Sequence, residues 1–261
     1  MGLAHIHPNA IIGKNVTIEA FAYIEEDVVI GDNCWIGPYA SIMNGARIGN
    51  DCKIFQGAVV SAPPQDLKYK GEKTTSVIGD RTIIREFVTI NRGTTYSNTT
   101  IIGSDCMLMA YVHIAHDCII GNHCILANNS NLAGHIVLED YVILAGSVNI
   151  SQFLRIGKHS FISGGCMLNK DIPPYIKAAR HPTVYAGVNS VGLKRRGYTN
   201  EQINAIHDVY RYLFVMGFNS KNAIEKIEAE LPVSDLRDEI VAFVESSKPG
   251  VLKGFNSRND R

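Results

Sequence analysis

The chain has 261 residues, and its 25 Lys and Arg are balanced by 25 Asp and Glu, so the formal net charge is zero. That balance argues against binding nucleic acid or an anionic membrane surface by bulk charge. With 46% hydrophobic and only 19% charged residues the chain is no disordered polymer, and no apolar run approaches the roughly 18 residues that a membrane span needs. The opening Met1-Gly2-Leu3-Ala4-His5-Ile6-His7-Pro8 has neither a basic leader nor a hydrophobic stretch. A soluble, cytoplasmic protein is expected.

From Ile6 onward a single period governs the sequence. Ile6, Ile12, Ile18, Ile24, Ile30, Ile36, Ile42, Ile48, Ile54 and Val60 fall on consecutive multiples of six, and the same phase continues to Leu168. Only Asp66, Glu72 and Tyr96 interrupt it. A sixfold period fits neither an amphipathic helix nor a two-residue strand alternation. It fits short strands with a corner every six residues, three to each turn of a triangular coil. Each sixth aliphatic points into the prism, and a second inward position four residues later takes Ala, Val or Cys. Glycine often follows the aliphatic, as at Gly13, Gly31, Gly49, Gly103 and Gly121, where a tight corner is expected to need it.

All six cysteines (Cys34, Cys52, Cys106, Cys118, Cys124 and Cys166) occupy that second inward position. A disulfide framework or zinc site would not keep to this phase, and no C-x-x-C occurs. They read as buried, reduced thiols, and no metal or cofactor is expected. Residues 61–77 and 91–101 break the pattern and read as loops leaving the coil; loops this long in a repeat are usually functional. The coil domain is therefore assigned to residues 1–171, a connector to 172–190 and a helical domain to 191–261. Thr199-Asn200-Glu201-Gln202 forms a capping box before Ile203, Ile206, Tyr210 and Leu213,. A second helix spans about 221–231 before Pro232, and a third follows Ser234.

Column arithmetic sorts the histidines, because residues 18 apart stack one rung apart. His116 lies below Gly134 and Gln152; Asp117 lies below His135 and Phe153. An outward imidazole can take a proton from an attacking hydroxyl. Asp117 could orient it, and the Gly134 N–H, unshielded by a side chain, could donate to an oxyanion. The bland alternative is a solvated His-Asp pair at a turn. His123 and His159 share another corner with Tyr141 and read as exposed turn residues.

Longer strings narrow the reading. Gln65-Asp66-Leu67-Lys68-Tyr69, Asn91-Arg92-Gly93-Thr94, His113-Ile114-Ala115-His116-Asp117-Cys118, Leu132-Ala133-Gly134-His135, Asp171-Ile172-Pro173-Pro174-Tyr175 and Gly192-Leu193-Lys194-Arg195-Arg196-Gly197 occur in that order. Together they resemble the hexapeptide-repeat UDP-N-acetylglucosamine O-acyltransferases of lipid A biosynthesis, over nearly the whole chain. The resemblance implies a mainly β fold, a left-handed parallel β-helix followed by a small C-terminal α-helical domain, assembled as a homotrimer. It also implies transfer of an (R)-3-hydroxyacyl group from acyl carrier protein to the sugar 3-hydroxyl of UDP-N-acetylglucosamine. By similarity His116 is the general base, Asp117 its partner and Gly134 the oxyanion donor. Asp66 and Lys68 match residues that hold the sugar, and His113 and His135 match residues lining the site. Gln152, Asn189, Arg195 and Arg196 match the nucleotide-binding region, where a guanidinium fork suits a diphosphate. Family members commonly carry His where this chain has Ser151, which can hydrogen-bond but carries no proton near neutral pH.

Competing readings fit less well. The later N-acyltransferase of the same pathway would carry an N-terminal uridine-binding domain, for which a coil starting at Ile6 leaves no room. A γ-class carbonic anhydrase needs an H-x₄-H spacing, and no two histidines here are five apart. An ice-binding solenoid would need a regular outward threonine ladder, which is missing.

Overall fold

The sixfold spacing becomes geometry in a computed structural model, which describes residues 3–254. Pairs such as His5–Ile6, Ile11–Ile12 and Thr17–Ile18 form two-residue strands joined by four-residue turns, three strands to a winding. Among the described residues the strands stack into three sheets of nine, eight and eleven strands, the walls of a left-handed parallel β-helix. Register is eighteen residues per winding wherever no loop intervenes: His113 pairs with Asn131, and Ile120 with Leu138. The sixth-position aliphatics from Ile24 to Leu168 are 3% exposed or less, and each such burial stabilises by roughly 1.5–3 kcal/mol. Ile6, on the first described winding, remains 42% exposed, because no winding lies beneath it among the described residues. All six cysteines are buried and free.

The glycines work differently from the expectation. The left-handed backbone falls two residues later, at Asn33 (φ 59°), Asp51 (φ 57°) and Asp105 (φ 58°). Glycine is needed instead because the next winding passes too close: a Cβ on Gly31 would lie 2.6 Å from the Gly49 carbonyl oxygen. Beside it an Asp/Asn ladder ties winding to winding. Asp32 Oδ1 accepts from Lys14 N at 2.7 Å, Asn50 Oδ1 from Asp32 N at 2.9 Å, and Asp140 Oδ1 from Asn122 N at 2.7 Å. These bonds satisfy turn N–H groups that the parallel ladders leave open.

After Leu168 the chain does not pass directly to helices. Ile176–Ala179 and Val184–Val188 pair antiparallel and extend one wall, a hairpin without sixfold periodicity and so invisible to that pattern. Helix α1 (Ser190–Arg195) follows, then α2 (Asn200–Phe214), α3 (Ser220–Glu230) and α4 (Asp235–Ser246). The Thr199/Gln202 capping box is formed, with N–H bonds of 3.2 and 2.9 Å. Tyr210 of α2 is fully buried and its hydroxyl donates to the Pro174 carbonyl, seating the helices on the last winding.

Candidate active site

Both interruptions leave the coil at the corner that carries His116. Their irregular parts, residues 63–74 and 92–98, are shorter than the sequence breaks, because Thr75–Ile78 and Thr99–Ile102 lengthen into paired four-residue strands. Arg92 pins the first loop: its Nε and Nη2 donate to the Tyr69 hydroxyl at 3.1 and 2.9 Å, and its Nη1 to the Asn44 and Ser61 carbonyls. Within that loop Asp66 Oδ1 accepts from Lys68 N at 2.9 Å, while Oδ2 stands 4.0 Å from His116 Nε2.

The second loop clamps Asp117. Its carboxylate accepts from Thr94 N (3.0 Å), Thr94 Oγ1 (2.7 Å), Ser97 N (3.2 Å) and Ser97 Oγ (2.5 Å). His116 Nδ1 lies 2.7 Å from Asp117 Oδ2. An ionised carboxylate only accepts, so Nδ1 carries the proton and Nε2 presents its lone pair. Burial alone would raise the Asp117 carboxyl; hydrogen bonds from Ser97, Thr94 and His116 outweigh it and hold it below the usual carboxylate range,.

Gly134 sits directly over the His116 ring. A Cβ there would fall 2.7 Å from His116 Cε1 and 2.9 Å from Nε2, so any side chain would displace the imidazole. The Gly134 N–H makes no hydrogen bond among the described residues. His135 meets His116 edge-on at 5.0 Å, stacks on Phe153 at 4.3 Å and takes the edge of Tyr96 at 4.4 Å. Its Nδ1 is buried without a partner, 3.9 Å from Asp117 Oδ2. Burial lowers its affinity for a proton, and the nearby His116 adds to that against the pull of Asp117. His113, on the adjoining strand, bonds Thr89 Oγ1 at 2.8 Å, and burial lowers its pKa as well. Beside it a groove of about 450 Å³ runs past Asn131, Asn149, Ser151, Met167 and Thr183.

Asp66, His113, His116, Asp117, Gly134 and His135 thus converge, with Lys68 and Gln152 exposed at the margin. Asn189, Arg195 and Arg196 do not join them within one chain. Asn189 caps α1, accepting from Gly192 N and donating to the His159 carbonyl at 2.9 Å. Arg195 is exposed, and the Arg196 guanidinium lies over Tyr141 at 5.1 Å, at the next corner of the coil. His159 at that corner is no exposed turn residue: it is 7% exposed, sandwiched between Tyr141 and Tyr175 at 4.8 and 5.7 Å. Only His123 keeps the expected exposure. Sequence reasoning missed the clamp of Thr94 and Ser97; its one signal was the hydroxyl-rich stretch Thr94-Thr95-Tyr96-Ser97-Asn98-Thr99-Thr100, about one winding ahead of Asp117.

Residues 171–252 match the model described as Udp N-acetylglucosamine O-acyltransferase, Domain 2, and residues 27–62 and 99–134 match the bacterial transferase hexapeptide. A curated acyl-(acyl-carrier-protein)–UDP-N-acetylglucosamine O-acyltransferase of Chlorobaculum parvum is 54% identical over 267 aligned positions, covering 98% of this chain and 100% of the relative. The chain belongs to this acyltransferase family. The crystal structure of the UDP-N-acetylglucosamine acyltransferase from Bacteroides fragilis superposes with a TM-score of 0.95 at 49% identity, covering 97% of this chain and 99% of that one. The Arabidopsis UDP-N-acetylglucosamine acyltransferase structure, 31% identical, gives a TM-score of 0.82 over 96% of this chain and 99% of its own. Among the described residues no helix is long and apolar enough to cross a membrane.

Proposed function

We propose that the protein transfers an (R)-3-hydroxyacyl group from acyl carrier protein to the 3-hydroxyl of UDP-N-acetylglucosamine, opening lipid A biosynthesis in the cytoplasm. The observation that carries this reading is an imidazole held by a buried carboxylate at 2.7 Å, beneath a glycine with a free N–H.

In this reading His116 Nε2 removes the proton of the sugar hydroxyl as its oxygen attacks the thioester carbonyl. Asp117 stabilises the imidazolium that forms. The Gly134 N–H donates to the developing oxyanion, a contribution of about 10²–10³ in rate where such donors have been removed. Collapse of the tetrahedral species expels the thiolate of the phosphopantetheine arm, which recovers the proton from Nε2. No covalent enzyme intermediate is invoked, since every cysteine is buried in the prism. The acyl group arrives already activated as a thioester, so turnover needs no resident cofactor or metal.

Asp66 and Lys68 hold the sugar in this proposal, His113 and His135 line the site, and Gln152, Asn189, Arg195 and Arg196 hold the nucleotide. Because the last three stand at another corner of the same chain, a neighbouring copy supplies them. Threefold symmetry around flat-walled prisms builds such a site three times in a homotrimer.

A matrix of acyl carrier protein and coenzyme A thioesters against UDP-sugars tests the substrate assignment. Turnover should concentrate on acyl carrier protein with UDP-N-acetylglucosamine; preference for coenzyme A or another UDP-sugar would replace it with a sister acyltransferase. His116→Ala should lower turnover by at least about 10²-fold with a nearly unmoved melting curve. Near-normal activity would remove His116 as the base.

A further inference from the structure

We propose that His116, His135 and Asp117 form an inhibitory binding site for zinc(II), behind the face of His116 that meets substrate. Each side chain offers one ligand atom, and the three atoms lie within 4.8 Å of one another. Two imidazole nitrogens and a carboxylate oxygen are a donor set that suits zinc.

A second observation points to the same place. His135 Nδ1 is buried and has no hydrogen-bond partner. Buried polar atoms are rarely left so, and an absent water or ion is an ordinary reason. Bonds of 2.0–2.2 Å in a tetrahedral shell put ligand atoms about 3.4 Å apart. The present separations from Asp117 Oδ2, 2.7 Å to His116 Nδ1 and 3.9 Å to His135 Nδ1, straddle that value. The third pair, the two imidazole nitrogens, lies within 4.8 Å, so changes in separation of up to about 1.4 Å bring all three to it. The carboxylate is already oriented by Thr94 and Ser97, as outer partners orient ligating groups in built metal sites.

The inhibition rests on the reading of His116 as the base. A neutral imidazole carries one proton, which sits on Nδ1 while that atom donates to Asp117. Zinc on Nδ1 displaces that proton, and it returns through solvent to Nε2, the other ring nitrogen. Nε2 then has no lone pair for the sugar hydroxyl. Zinc therefore lowers kcat without competing for the sugar, since its ligand atoms stand on the Asp117 side of the His116 ring and not on the Asp66 side.

The test uses chelator-treated full-length enzyme, zinc chloride alone and cobalt(II) chloride as a spectroscopic substitute. The wild type should bind one more zinc per chain than His135→Gln, and cobalt should give the intense visible bands of a low-coordinate nitrogen site. Saturating zinc should lower kcat at least tenfold with the KM for UDP-N-acetylglucosamine unchanged, reversibly with chelator. His135→Gln should shift the zinc midpoint at least tenfold, and Asp66→Asn should leave it in place. Equal zinc binding by wild type and His135→Gln overturns the site, as does inhibition competitive with UDP-N-acetylglucosamine. If His135→Gln does not fold, the wild-type cobalt spectrum decides alone, and the weak bands of the hydrated ion overturn the site. Zinc bound through His135 with full turnover overturns the inhibitory role, whereas the base reading falls only to near-normal turnover of His116→Ala.

Discussion

Two corners of the same winding carry histidines, and they hold them in opposite ways. At one, His116 has a carboxylate at 2.7 Å and a carbon-free space above its ring at Gly134. At the other, His123, Tyr141, His159 and Tyr175 form a ring stack with spacings of 4.6, 4.8 and 5.7 Å. Exposure does not separate them, for the His116 side chain is only 13% exposed and His159 only 7%. Partners do. The charged groups around His159 are Arg196 and Lys158, with Asp140 opposing them weakly, and burial plus these cations push its imidazole down to about 4. Periodicity decides who stacks on whom, while the loops grafted at one corner decide which histidine is given a carboxylate.

The sharpest way to break this contrast is to fill the space above His116. Gly134→Ala places a methyl carbon 2.7 Å from His116 Cε1, so the ring must swing away from Asp117 or from the substrate. A misplacement of about 1 Å at a reacting group costs on the order of 10² in rate, and turnover should fall by about that factor. The melting curve should move little, because no core contact is lost. Turnover within twofold of the wild type would mean that Gly134 does not govern the ring.

A smaller effect should follow from loosening the clamp. Ser97→Ala removes the 2.5 Å bond to Asp117 Oδ1 but leaves both Thr94 donors and the Ser97 N–H in place. Hydrogen bonds to charged groups contribute roughly 1.5–3 kcal/mol. With three donors retained, part of that should appear as a loss in kcat of about fivefold. The KM for UDP-N-acetylglucosamine should not change, and Ser97→Thr should restore most of the rate. A change confined to KM would show that the loop touches substrate rather than positioning Asp117.

The same contrast explains how much of the molecule was legible beforehand. The coil was readable because each sixth aliphatic meets its counterpart eighteen residues on, and that repetition also placed Gly134 over His116. The hairpin formed by Ile176–Ala179 and Val184–Val188 follows no period, so its pairing left no mark. The clamp was hidden for a related reason: Thr94 and Ser97 reach Asp117 through a loop whose path no spacing rule describes. His159 was misread because column arithmetic puts a residue at a corner without saying what covers it. Tyr198 and Arg196, arriving from the chain beyond the coil, do the covering.

The mildest expected effect lies at that second corner and concerns stability. The folded value of about 4 at His159 lies below the ordinary 6.5, so between those pH values the unfolded chain takes up a proton that the native protein refuses. Stability therefore falls as pH drops from about 6.5 towards 4, and this contribution is flat above that window. His159→Phe keeps a flat ring between Tyr141 and Tyr175 but cannot be protonated. Its melting temperature should decline less steeply across the window than that of the wild type, while the two curves run parallel at higher pH. His113 and His135 shift in the same direction, but they are present in both proteins and cancel in the difference. Curves that stay parallel down to pH 4 would mean that His159 accepts its proton while folded, and the contrast between the two corners would rest on the carboxylate alone.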